Sequence, residues 1–270
     1  MSAESVEARA GRVIVMAYAV LAYATFLAAT LWAIAFLSDW SIVRTIDGPP
    51  TRAPWIAVTV DVGLLLLFAL QHSVMARDGF KRRLERLVPS PAERATYVLA
   101  ASVVLVLVFG EWQSLPASIW RVDVSPWAGA IWAAYGIGWL ITVAATFMVD
   151  HWDFLGLRQA MSYVRRRHYA PPSFTARWLY AWVRHPMMLG LVIVFWATPR
   201  MTVGHLVFAL GMTAYIAVGI RFEERGLRKQ LGSEYRDYAA RVPATVPRRH
   251  VGAFRPSRRP PAADPCRSDA

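Results

Sequence analysis

Four stretches of this chain are each long and apolar enough to cross a bilayer, and no other feature restricts the fold so severely. A hydrocarbon core about 30 Å thick needs a helical run of roughly 17–25 apolar residues, and residues 13–37, 55–75, 95–111 and 127–149 supply four of them. A fifth run, 179–198, contains Arg184, His185 and Pro186; a sixth, 201–220, follows after only Pro199 and Arg200. Lipid offers backbone groups no hydrogen bonds, so such runs must be helical. The expectation is an all-α integral membrane protein of five or six transmembrane helices ending in a tight helical hairpin. The first run is longer than a signal-peptide core and has no small-residue cleavage site. It is read as a retained span behind a short cytosolic segment, residues 1–12.

The formal net charge of +12 could suggest nucleic acid, but the basic residues fall between the apolar runs and in the last thirty residues rather than on an amphipathic face. Membrane orientation explains them. Arg77, Lys81, Arg82, Arg83, Arg86 and Arg94 crowd the second connection, and Arg158, Arg165, Arg166 and Arg167 the fourth, whereas connections 38–54 and 113–126 carry few. By the positive-inside rule both termini and the working surface face the cytosol. The only cysteine, Cys266, rules out a disulfide within the chain. From residue 248 the sequence turns to Arg, Pro and Ala and cannot build a core, so 248–270 is expected to be a disordered basic tail placed to touch anionic lipid. Residues 13–247 form one transmembrane domain.

Chemistry concentrates in residues 184–243. Val183-Arg184-His185-Pro186-Met187-Met188-Leu189-Gly190 puts a fixed charge, an imidazole and a proline at the cytosolic mouth of an apolar run, where ionisable groups usually mark function. The plainer reading is that Arg184 snorkels, His185 caps a loop and Pro186 fills a first helical turn. Beyond the sixth run come Arg221-Phe222-Glu223-Glu224-Arg225-Gly226-Leu227-Arg228, then Leu231-Gly232, Tyr235, Tyr238 and Val242-Pro243. Arg221, Glu224 and Arg228 share a helical face. Two other polar pairs sit at cytosolic span ends, Gln71-His72 and Asp150-His151, while His205 lies near the opposite face and is a poor candidate for the same site. His185 lies about 14 residues before the hairpin turn and Glu224 about 23 after it, so the two should differ in depth by about 13 Å and bracket an elongated ligand. The chain has no strand followed by a Gly-rich loop, so a nucleotide-like ligand must be held by helices.

The ordered set of Arg-His-Pro, Gly190 one turn later, a return helix, Glu223-Glu224, Leu, Gly, Tyr-x-x-Tyr and Val-Pro resembles the superfamily of isoprenylcysteine carboxyl methyltransferases and phospholipid methyltransferases. Residues 68–77, 93–99, 150–159 and 195–205, with about 13–247 as a whole, resemble the bacterial methanethiol S-methyltransferases, which are grouped with nurim. The sequence departs from the pattern at Met188, where tyrosine is usual, and at Asp150, where asparagine is expected. The resemblance implies methylation of methanethiol by S-adenosylmethionine to dimethyl sulfide. It implies cofactor contacts at His185, Pro186, Gly190, Arg221, Glu223, Glu224 and Tyr235, substrate contacts at Gln71, His72, Asp150 and His151, and no metal. The nucleophile must be a thiolate. His185, His151 and His72 are the candidate bases, and Arg184 or Arg158 the candidate charges that lower the thiol's pKa. A lipid or prenylcysteine acceptor, a nurim-like membrane organiser and a histidine-ligated haem protein are the competing readings. Oligomeric state is open.

Overall fold

Helices dominate because they alone satisfy the backbone of these runs in lipid. The computed structural model describes residues 3–172 and 176–246; the basic tail expected over 248–270 lies outside them. In chain order the elements are α1 (Ala3–Leu37), α2 (Pro54–Met75), α3 (Asp78–Leu84), α4 (Glu93–Glu111), β1 (Ser118–Arg121), α5 (Ser125–Val149), α6 (His151–Phe154), α7 (Leu157–Val164), α8 (Pro186–Trp196), β2 (Arg200–Thr202), α9 (Val203–Leu231) and α10 (Ser233–Arg241). Among the described residues five helices are long and apolar enough to cross a membrane: Arg9–Leu37, Pro54–Met75, Ser90–Glu111, Ser125–Val149 and Val203–Leu231. The chain is an all-α integral membrane protein. Pro54 and Pro126 sit in the first turns of α2 and α5, where a missing donor costs nothing.

The fifth apolar run does not form a continuous span. α8 has 11 residues, about 16 Å of rise, or half the hydrocarbon core. Proline bars the preceding residue from the helical region; His185 accordingly takes φ −126°, ψ 63°, and the helix starts at Pro186. After Trp196 the chain turns, the Thr198 N–H donating to the Trp196 carbonyl at 3.0 Å, and enters β2, which pairs antiparallel with β1. The two arms of the hairpin are unequal, 11 residues in α8 against 29 in α9.

α2 and α8 both pack on α9, α5 packs on α8, and α4 lies between α1 and α2. The main core gathers Phe36, Phe109, Trp112, Val194, Phe195 and Phe208. α5 and α8 approach through two glycines: a Cβ on Gly190 would lie 2.6 Å from the Gly138 carbonyl oxygen, so a small residue is required there. The end that carries β1 and β2 is closed by polar contacts. Thr202 Oγ1 donates to Asp47 at 2.5 Å, Arg200 pairs with Asp39 at 2.8 Å, and Asp61 in α2 accepts from the Gln113 backbone N–H at 2.8 Å.

Candidate functional site

The break before α8 leaves residues 184–185 extended, and the chain leaving α10 runs beside them. Arg184 N–H donates to the Pro243 carbonyl (2.9 Å) and His185 N–H to that of Ala244 (3.0 Å). This fixes the Arg184 side chain between α9 and α10. Its Nε and Nη2 both donate to Glu224 Oε1, at 2.8 and 2.5 Å, and its Nη1 donates to the carbonyls of Ala239 (2.9 Å) and Val242. Those carbonyls belong to the end of α10, where helices leave acceptors unsatisfied. The two charged side chains are only 10% and 13% exposed, and an ion pair so buried is tolerable only with further hydrogen bonds. Arg184 makes them with backbone carbonyls. Glu224 makes one with Arg228 at 3.3 Å.

His185 stands against this pair, 5% exposed. Its Nε2 lies 3.4 Å from Glu224 Oε1 and its Nδ1 3.4 Å from Glu223 Oε2, and the Glu223 side chain is 47% exposed. One carboxylate is therefore locked and the other borders solvent. Tyr235 and Tyr238 of α10 close the cluster with Ala176 and Val242. Burial first, and then the Glu224 carboxylate, push the Tyr235 hydroxyl's pKa up to about 12. Tyr235 therefore stays protonated and remains a donor.

The expected 13 Å difference in depth between His185 and Glu224 is overturned by their 3.4 Å contact. Counting residues from a tight turn assumed two arms starting level. Instead, Trp196 Nε1 donates to Thr213 Oγ1, well inside α9, at 3.0 Å. His185 precedes Trp196 by 11 residues and Glu224 follows Thr213 by 11, so from that contact the two arms run in step to their polar ends.

Other sequence candidates fall elsewhere. His72 Nε2 meets Tyr97 Oη at 2.7 Å, and its ring sits among Phe68, Tyr97 and Tyr215 at 5.2, 5.0 and 6.1 Å. His72 Nδ1 and Gln71 Oε1 are buried with no hydrogen-bond partner among the described residues. Tyr215 precedes Glu224 by nine residues of α9, about 13 Å along the axis, so the His72 site and the Glu224 site flank one helix. Asp150 and His151 form a separate cluster. His151 meets Thr146 Oγ1 through Nδ1 (2.8 Å) and Tyr23 Oη through Nε2 (3.2 Å), and its ring stacks on Phe147 at 4.2 Å. Burial pushes its pKa down, which keeps it neutral. Asp150, at φ 123°, accepts from the Asp153 N–H at the start of α6 and pairs with Arg158. Among the described residues no hydrogen bond or ion pair joins this cluster to Arg184 and Glu224. A broad cavity of about 610 Å³, lined by Ala144, Phe147, Met148, Arg177 and Trp178, borders it through Phe147.

Pro186 is the buried first residue of α8, Gly190 faces α5, and Arg221 is exposed with no ion pair among the described residues. The spacing of residues did not reveal Tyr97 against His72, nor the α10 carbonyls around Arg184. Both contacts join helices far apart in sequence. No group of three or more His, Cys, Asp or Glu among the described residues could hold a metal ion.

The NnrU protein family matches residues 62–251. The chain is 46% identical over 239 residues to a methanethiol S-methyltransferase of Mycobacterium tuberculosis, covering 88% of this chain and 98% of that protein. It is 44% identical over 241 residues to methanethiol S-methyltransferase 2 of Bradyrhizobium diazoefficiens, covering 88% and 91%. A nurim homolog of Drosophila melanogaster is 32% identical over 209 residues, covering 74% and 78%. No solved structure matches the chain.

Proposed function

We propose, from the premise that this chain belongs to the NnrU protein family, that it is an integral membrane methyltransferase moving a methyl group from S-adenosylmethionine to methanethiol and releasing dimethyl sulfide. One observation of the geometry carries this reading. A buried imidazole, His185, has a carboxylate beside each ring nitrogen at the mouth of an apolar hairpin, inside the region shared with the methanethiol S-methyltransferases.

The donor set suits S-adenosylmethionine, which is cationic at sulfur and carries an ammonium, a carboxylate and ribose hydroxyls. Half-exposed Glu223 accepts from hydroxyls or the ammonium, while Tyr235 and Arg221 donate. Arg184, Pro186 and Glu224 shape the wall. Gly190 keeps α8 close to α5. When bound, the cofactor supplies an electrophilic methyl group on a sulfonium sulfur.

His185 takes the thiol proton, and Glu224 orients the imidazole and stabilises its cation. Of the three candidate bases His185 alone has carboxylate partners. His151 has both nitrogens occupied by neutral hydroxyls, and its ring stacks on Phe147, which lines the 610 Å³ cavity, a route for a small thiol to the His151 and Asp150 cluster. Gln71 and His72 offer an unpartnered acceptor and ring nitrogen on the substrate side. Met188, Ile216 and Ile220, packed on the apolar core, exclude water from a step in which a thiolate and a sulfonium become two neutral products.

The site and both termini face the cytosol of a bacterial inner membrane. Lys81, Arg82 and Arg83 of α3, Arg158 of α7 and Arg165, Arg166 and Arg167 just after it support this through the positive-inside rule.

Membranes bearing the full chain, given methanethiol and S-adenosylmethionine, should release dimethyl sulfide into the headspace. Methyl label appearing in extractable lipid or protein, with no dimethyl sulfide formed, would overturn the thiol as acceptor.

A further inference from the structure

α7 lies along the rim of the helix bundle. Its Leu157 and Ala160 are buried against Val15, Ala19 and Ala22 of α1 and against Ala92 and Ala95 at the start of the third span. The other face carries Arg158, Ser162 and Arg165, spaced by four and three residues so that they align. The helix ends at Val164, and Arg166 two residues on takes φ 54°, the left-handed conformation that glycine usually supplies just past a helix end. Three backbone bonds close this end: Arg165 N–H to the Met161 carbonyl at 3.0 Å, Arg166 N–H to Tyr163 at 3.2 Å, and Arg167 N–H to Ser162 at 2.9 Å. The reversal turns Arg167 and His168 back toward Arg165. Together they line a cavity of about 320 Å³ with Arg158, Met161 and Ser162.

The cavity is strongly cationic. Asp150 pairs with Arg158, whereas Arg165 and Arg167 have no ion pair among the described residues. Its depth is set by the packing of α7. Val15 and Ala19 lie in the first turns of the Arg9–Leu37 span, so a helix lying on them is level with the membrane's polar surface. Trp152 and Tyr163, at the flanks of the same segment, are exposed large aromatics, and such side chains favour the headgroup region.

We propose that the α7 cavity binds the phosphate of an anionic phospholipid headgroup. Guanidinium forks match phosphate oxygens in pairs, and the Ser162 hydroxyl adds a donor. The depth and the exposed aromatics favour a lipid over free phosphate. The site is separate from Arg184, His185 and Glu224.

The full chain in detergent micelles can be titrated with phosphatidylglycerol, with phosphatidylcholine and with inorganic phosphate, and bound species read by native mass spectrometry. Phosphatidylglycerol should bind in preference to phosphatidylcholine. Each arginine removed should weaken it about fivefold, so Arg165→Gln with Arg167→Gln should give about 25-fold. Lys81→Gln with Arg82→Gln removes the same charge from the α2–α4 connection, outside the cavity lining, and should change binding by less than about twofold because solvent and salt screen charges that do not touch the ligand. Arg167→Gln alone, at an exposed position, gives a second measurement if the double variant folds poorly. Equal losses in the two pairs would overturn the proposal. So would the absence of a lipid preference, or inorganic phosphate binding as tightly as phosphatidylglycerol.

Discussion

His185 and His205 are buried almost alike, at 5% and 1% exposure, near opposite ends of the same hairpin, and their surroundings differ in kind. His185 has carboxylates at both ring nitrogens. His205 sets its Nε2 against the Phe195 carbonyl at 3.0 Å, and its own N–H donates to Thr202 Oγ1 at 3.2 Å. One imidazole can exchange a proton with a charged neighbour that borders solvent; the other fastens α9 to the end of α8. Burial alone therefore does not distinguish a working histidine from a structural one. The partners do.

The largest test of that contrast pairs two substitutions. His185→Ala should lower turnover by roughly 10²- to 10⁴-fold, the usual contribution of a positioned acid or base, and leave the melting temperature in detergent nearly unchanged. His205→Ala should do the reverse: turnover near wild type and a stability loss of about 1–3 kcal/mol from an unsatisfied carbonyl. Headspace assays and thermal melts of both variants would break the comparison if the two behaved alike.

Glu224→Gln should come next. It leaves the Arg184 guanidinium buried without its counter-charge, a loss of about 3 kcal/mol for a pair this enclosed, read as a lower melting temperature together with lower turnover. Loss of turnover alone would show that Arg184 is held well enough by Ala239 and Val242.

A smaller effect is expected where no charge is involved. Gly190→Ala forces a methyl group toward the Gly138 carbonyl and should cost about 1–3 kcal/mol through overpacking. The melt should show it, and the Michaelis constant for S-adenosylmethionine should not move. A shifted constant would restore Gly190 to the cofactor site.

The smallest effect is a pH dependence at His151. Burial depresses its folded pKa below the ordinary histidine value near 6.5, so the unfolded chain binds the extra proton first. Its contribution to stability is complete above that ordinary value and is lost as the pH falls through the folded pKa. Melting temperatures measured from pH 7 to 5 should fall more steeply for the native chain than for His151→Gln.

Much of this was legible in the sequence. The runs at 13–37, 55–75, 95–111 and 127–149 match four helices within a few residues, because span length is imposed by the bilayer and needs no tertiary partner. Arg184, His185 and Glu224 stood out because ionisable groups near a span are costly. The fifth run misled because hydropathy ignores Pro186, which restricts His185 and shortens α8 to 11 residues. His72 and Tyr97, which meet at 2.7 Å, are 25 residues apart on separate helices, and no periodicity couples them.

The sequence by itself determined the solvent of this protein, the place of its first four long spans and the residue types at its polar mouth, since each follows from local composition and from rules that act on one segment at a time. Only the tertiary structure decided that His185 and Glu224 meet. That contact depends on the seating of α8 along α9, where Trp196 meets Thr213, and on the return of residues 242–244 alongside Arg184, and both are properties of packing between distant segments.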